Sequence, residues 1–162
     1  MVDNMNQKQC IEAGEKAPDF TIKDQDGNEF SLSKFKGKRI LLSFHPLAWT
    51  SVCAEQMKSL EKNWKNFEEL NTVAVGINVD PVPSKKAWAK ELGITYIKLL
   101  SDFWPHGTVA KKFGIFREKE GFSERANIII DENQRIELVR IYNTSELPDI
   151  EEIITFLKTE IE

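Results

Sequence analysis

The sequence predicts a three-layer α/β fold in which a central mixed β-sheet, introduced by an N-terminal hairpin, carries helices on both faces. Three observations point there. Apolar, β-branched runs of strand length recur at residues 39–44, 72–77 and 126–130, with no alternation of polar residues, as strands covered on both faces require. Amphipathic segments separate them, with apolar residues at steps of three and four. A strand–turn–strand pair and a closing helix end the chain, so the sheet is mixed rather than purely parallel.

Element by element, residues 1–12 are polar and read as a flexible arm, with residues 13–162 forming one domain. A strand over 17–22, the turn Asp24-Gln25-Asp26-Gly27 and a strand through Phe30 make the hairpin. After Gly37 comes the buried strand 39–44. Met57, Leu60, Trp64 and Phe67 predict one helix over 51–70. Strand 72–77, helix 84–92 with Ser84 as N-cap and Gly93 past its end, and strand 96–100 follow. A short helix over 108–113, closed by Gly114, leads to strands 126–130 and 135–141, joined by Asp131-Glu132-Asn133-Gln134. Ile150, Ile153, Ile154, Leu157 and Ile161 then repeat at helical spacing behind Pro148, which suits a first turn.

The totals exclude several functions. With 26 acidic and 22 basic residues the net charge is −4, and no basic run or zinc-type spacing marks a nucleic-acid binder. Two separated cysteines cannot build a disulfide framework, which favours a reducing compartment. The opening MVDNMNQKQC has no apolar h-region, and no apolar run reaches the roughly 18 residues of a membrane span. A cytoplasmic location is expected.

Chemistry concentrates at Pro46-Leu47-Ala48-Trp49-Thr50-Ser51-Val52-Cys53. Here a strand delivers the chain to the start of a helix, and sites in such sheets form at the carboxyl ends of strands. Unsatisfied first-turn amides around Val52 and Cys53, with the positive end of the helix, favour an ionised sulfur. Thr50 is placed to cap the helix and turn its hydroxyl toward Cys53, while Pro46 shields the sulfur and removes a competing N–H. The segment itself holds no cation.

Pro46, Thr50 and Cys53 form a PxxxTxxC signature that resembles the peroxiredoxins, thiol peroxidases of thioredoxin-like fold. PLAWTSVC, LLSDFWPHG and KKFGIF are most similar to the one-cysteine AhpE class, and SERANIIID matches the family's arginine segment. The resemblance implies that Cys53 is the peroxidatic nucleophile and that Thr50 and Arg125 hold peroxide and sulfur. It further implies reduction of hydrogen peroxide and organic hydroperoxides through a Cys53 sulfenic acid, recycled by a low-molecular-weight thiol, thioredoxin or glutaredoxin-like reductant. A homodimer or larger homo-oligomer is implied as well. Gln56 stands where relatives often carry Glu; it keeps a hydrogen bond for Arg125 and removes a charge. Cys10, upstream on the arm, is the only candidate for a resolving cysteine.

Other readings are weaker. His45 and His106 invite a metal or hydrolase site, but no CxxC or HxxxH spacing accompanies them; neither metal nor cofactor is expected. His106 is read as bracing its turn and His45 as packing beside the site. A disulfide reductase needs a second cysteine where Gln56 stands. A non-catalytic holdase explains the fold but not Pro46, Thr50, Cys53 and Arg125 together.

Overall fold

The computed structural model describes residues 9–159. Its elements are β1 (Thr21–Lys23), β2 (Glu29–Ser31), a 3-10 turn (Leu32–Phe35), β3 (Arg39–Phe44), α1 (Ser51–Lys62), α2 (Trp64–Glu69), β4 (Thr72–Asn78), α3 (Val82–Leu92), β5 (Lys98–Ser101), α4 (Thr108–Lys112), β6 (Phe116–Arg117), β7 (Phe122–Ser123), β8 (Arg125–Ile130), β9 (Ile136–Tyr142) and α5 (Ile150–Thr159). Seven strands form one sheet in the order β2-β1-β5-β4-β3-β8-β9, while β6 and β7 pair separately. β3, β4 and β5 run parallel; β8 is antiparallel to β3, and β9 to β8. The sheet is mixed, as the sequence predicts.

Strand alternation divides the interior in two. Ile40, Leu42 and Phe44 of β3 and Ala126, Ile128 and Ile130 of β8 join Val109, Ala110 and Phe113 around α4, together with Phe20 and Phe30 of the hairpin region. On the opposite face Leu41 and Ile129 meet Met57 and Leu60 of α1, Phe67 of α2, Trp88 of α3 and Leu157 of α5. Helices therefore cover both faces, and each central strand is buried on both sides. Gly76 on β4 sets how closely α1 approaches: a Cβ there would collide with Met57 Sδ and press on Leu99.

Several boundaries differ from the expectation. The helix predicted over 51–70 is two, because Asn63 turns its side chain back onto Ser59 O (2.8 Å) and leaves helical geometry at φ −102°, ψ 13°, the side-chain competition that interrupts helices at Asn. α3 begins at Val82 with Pro81 as its cap, so Ser84 lies inside the helix; it instead accepts a hydrogen bond from Trp49. The first strand shortens to Thr21–Lys23, with Lys16 forming an isolated bridge to Arg135. β6 and β7 have no counterpart in the prediction, being too short for a periodic signal. Of the arm read over residues 1–12, residues 1–8 lie outside the described ones. Its far end is tied down: Ile11 is buried and its amide donates to Phe113 O at 3.1 Å. Gly114, at φ 71°, is needed there, since a Cβ would strike the backbone of Gln9 and Cys10.

Candidate active site

Beyond Phe44 the His45 amide donates to Ile77 O at 3.1 Å, extending the pairing with β4 by one residue before the chain turns. The turn is held by polar side chains from neighbouring loops. Asp80 Oδ2 accepts from the Ala48 amide (2.7 Å) and from Asn78 Nδ2 (2.7 Å), and Trp49, at φ 69°, donates its indole N–H to Ser84 Oγ at 3.0 Å. Thr50 then takes the N-cap in extended conformation, and its carbonyl receives the Ala54 amide at 2.9 Å. The amides of Ser51, Val52 and Cys53 precede that bond and have no intrahelical acceptor. Cys53 is thus the third residue of α1, with a side chain 1% exposed.

The missing cation arrives from across the sheet. Alternation along β8 places Arg125 on the same face as Ile129, and Arg125 Nη1 donates to Cys53 Sγ at 3.4 Å. The same nitrogen donates to Gln56 Oε1 at 2.6 Å, while Nε and Nη2 both bond Thr144 O, at 3.2 and 2.6 Å. Gln56 is oriented in turn by Ser43 Oγ (2.7 Å) and Phe44 O (3.1 Å), which accept from its Nε2. Among the described residues no carboxylate lies within ion-pair distance of Arg125. Its charge is left to the sulfur, in a setting of low effective dielectric where such a bond is strong.

Cys53, Arg125 and Gln56 are therefore brought together, and Pro46 is buried in the turn. Thr50 differs in detail. Its side chain makes no capping bond, and Oγ1 donates to Leu47 O at 2.8 Å rather than turning to the sulfur. With its proton engaged there, the hydroxyl keeps its lone pairs for an incoming O–H donor. Val52 is half-buried and contributes its position in the first turn. His45 is wholly buried against Trp88, with ring centroids 5.5 Å apart; burial, then the neighbouring Lys85, holds it well below the usual imidazole range. His106 Nε2 lies 2.7 Å from Gly121 O and ties its turn to the β6–β7 ribbon.

Cys10 is not brought to Cys53. Its neighbour Ile11 packs on the face of the sheet that carries α4, whereas Cys53 belongs to the face that carries α1 and α3. Burial, and then Glu12, Glu124 and Glu15, raise the Cys10 thiol above its ordinary value, so less of it is thiolate at neutral pH. Sequence reasoning missed Ser43 and the Thr144 carbonyl. Ser43 interrupts an otherwise apolar strand, opposite Asn127 in the β3–β8 register; that interruption was its signal. A backbone acceptor has none.

A cysteine at a helix start, held by an unneutralised arginine on a mixed sheet with helices on both faces, defines a thiol-based redox enzyme of thioredoxin fold. The chain belongs to the AhpC/TSA family, whose model matches residues 13–139; it is a peroxiredoxin. It is 36% identical over 140 residues to the alkyl hydroperoxide reductase E of Mycobacterium tuberculosis, covering 86% of this chain and 91% of that protein. A peroxiredoxin of Thermoplasma volcanium is 32% identical over 150 residues, covering 90% and 72% of the two chains. Among solved structures, the reduced 2-Cys peroxiredoxin of Plasmodium vivax superposes with a TM-score of 0.83 at 28% identity, covering 91% of this chain and 81% of that one.

Proposed function

We propose that this protein reduces hydrogen peroxide and organic hydroperoxides at Cys53 and is returned to the thiol by an external reductant. The observation that carries the reading is the Arg125 Nη1 bond to Cys53 Sγ at 3.4 Å, from a guanidinium that has no carboxylate partner among the described residues. The Cys53 thiolate attacks one peroxide oxygen. The S–O bond forms as the O–O bond breaks, and the electron pair leaves on the second oxygen, which takes a proton to become alcohol or water. Sulfur is oxidised to sulfenic acid and the peroxide is reduced. Negative charge moves from sulfur to the leaving oxygen, so the donors that matter most are those able to follow it. Arg125 can, because Nη1 is shared between Sγ and a neutral amide oxygen. Two equivalents of thiol then return the sulfenic acid to thiol, giving a disulfide and water.

The reductant belongs to the low-molecular-weight thiols, thioredoxins or glutaredoxin-like proteins, and the enzyme works in the cytoplasm, where such thiols are kept reduced. A homodimer is the proposed assembly. Its support is exposed apolar surface at Leu47 and Trp49 in the active-site turn and at Phe103 and Trp104 after β5, the last 81% exposed.

One experiment tests the activity and the role of Cys10 together. Reduced protein and Cys10→Ser receive one equivalent of hydrogen peroxide, are trapped with a sulfenic-acid reagent and are run as intact masses and on non-reducing gels. Trapped sulfenic acid on Cys53 in both is expected. A chain-to-chain disulfide lost in Cys10→Ser would make Cys10 the resolving cysteine across a dimer. An unmodified Cys53 would overturn the peroxidase reading.

A further inference from the structure

The peroxide chemistry makes no use of Lys85, although it is among the most deeply buried side chains in the molecule. Lys85 lies on α3 at 0% exposure, and among the described residues its Nζ has no hydrogen-bond partner. It sits 5.9 Å from the centroid of the Trp88 ring. His45 packs on that ring too, equally buried, with its Nε2 unpartnered among the described residues and its Nδ1 3.3 Å from Ser43 O. Ser43 Oγ holds Gln56, and Gln56 holds Arg125. Lys85 thus lies on the Trp88 ring that His45 also packs against, in the same core as Cys53.

An unpaired ammonium in such a place is expensive, and a Met of similar volume would fill it without that cost. A purely packing role is therefore a poor account of a lysine here. The anionic groups that face it are Asp80 in the loop after β4, Cys53 on α1 and Asp102 after β5; the other titratable group facing it is His45, kept neutral by burial and by Lys85 itself.

We propose that Lys85 is a positioning residue for the peroxidase reaction, a second interior cation whose proton is thermodynamically linked to the negative charge on Cys53. Thiolate favours the ammonium, and the ammonium favours thiolate. When the sulfur's electron pair enters the S–O bond and sulfur becomes neutral, Lys85 loses an anion and holds its proton less tightly, since such coupling is reciprocal. Burial brings Lys85 down to about 7, so both of its states are populated at neutral pH. The inference rests on Cys53 as the reacting thiolate, but it is read by alkylation as well as by peroxide, so its failure and that of the peroxidase reading are distinguishable.

In a Cys10→Ser background, where Cys53 is the only thiol, rates of Cys53 alkylation by iodoacetamide and of oxidation by hydrogen peroxide are compared between Lys85 and Lys85→Met from about pH 6 to 9. Lys85→Met should be slower at pH 6 by on the order of tenfold, the size of a coupling of about one pKa unit. The gap should close above about pH 8. A gap that is absent, or the same at every pH, overturns the proposal. Should Lys85→Met not fold, the Nζ titration is followed by NMR in the parent chain and in Cys53→Ser. The midpoint should fall in Cys53→Ser, and an unchanged midpoint overturns the linkage.

Discussion

Arg125 makes bonds to three acceptors, and only one of them is the reacting atom. Two nitrogens are fixed on Thr144 O, so the third is aimed at Sγ with little freedom left. That geometry needs the planar fork of a guanidinium; an ammonium offers a point charge instead. Arg125→Ala and Arg125→Lys should both fold and lower the rate of Cys53 oxidation, the alanine variant by about a hundredfold to a thousandfold, as for loss of one transition-state donor. Stopped-flow fluorescence from Trp49 in the adjoining turn gives the rate. Gln56→Glu tests the missing negative charge. A carboxylate 2.6 Å from Nη1 draws the guanidinium toward itself, and a severalfold lower rate is expected with Tm little changed. An equal or faster rate would show that the neutral amide is not what leaves the cation to the sulfur. Cys53, Arg125 and Gln56 were legible because each is a side chain in a patterned segment. The bond from Thr50 to Leu47 O was not, since nothing local tells a capping hydroxyl which of several nearby acceptors it will meet.

Among the elements, α1 matters most, because its distance from the sheet decides where the sulfur lies. Gly76 allows β4 to accept Met57 directly. Gly76→Ala should displace that side chain or the helix, at a cost of about 1–3 kcal/mol by overpacking, read as a lower Tm. Cys53 oxidation should slow with it, since Met57 lies one helical turn from Cys53 on the same face. A variant with unchanged Tm and rate would mean that Met57 swings aside freely. Apolar periodicity announced both elements but not the glycine between them, whose reason is a contact between α1 and β4. The break at Asn63 was similarly hidden: Trp64 and Phe67 continue the helical spacing across it, and only the bond to Ser59 O separates α1 from α2. The central strands of the main sheet needed no such tertiary information, for apolar runs such as ILL and III are bounded by turns and flanked by amphipathic helices.

Across the protein as a whole, buried titratable groups set how stability follows pH. His45 stays neutral when folded but binds a proton near 6.5 once unfolded, so its contribution is present above that pH and is lost as pH falls through it. Lys85 is held to about 7 against an ordinary 10.5. The unfolded chain then binds more protons between those values, and stability rises with pH across the window. Asp102, raised to about 6 by burial, acts oppositely, its contribution lost as pH rises from 3.8 through 6. Denaturant titrations should show greater stability at about pH 9 than at pH 7. Lys85→Met should remove most of that rise and be more stable than the parent at pH 7 by a few kcal/mol. A parent chain equally stable at both values would contradict this assignment. The sequence carried the order of the layers, yet it could not show Lys85 as interior, because a lysine in an amphipathic helix reads as solvated until neighbouring elements close over it. Nor could it show that the sheet stands between Cys10 and Cys53. Within a single chain that partition turns the fate of the oxidised sulfur into a race. A reductant from solution restores Cys53, or a second peroxide carries it on to sulfinic acid. The share of enzyme lost per turnover is then set by the ratio of peroxide to reductant around it, and the protein's working lifetime becomes a measure of the thiol supply it depends on.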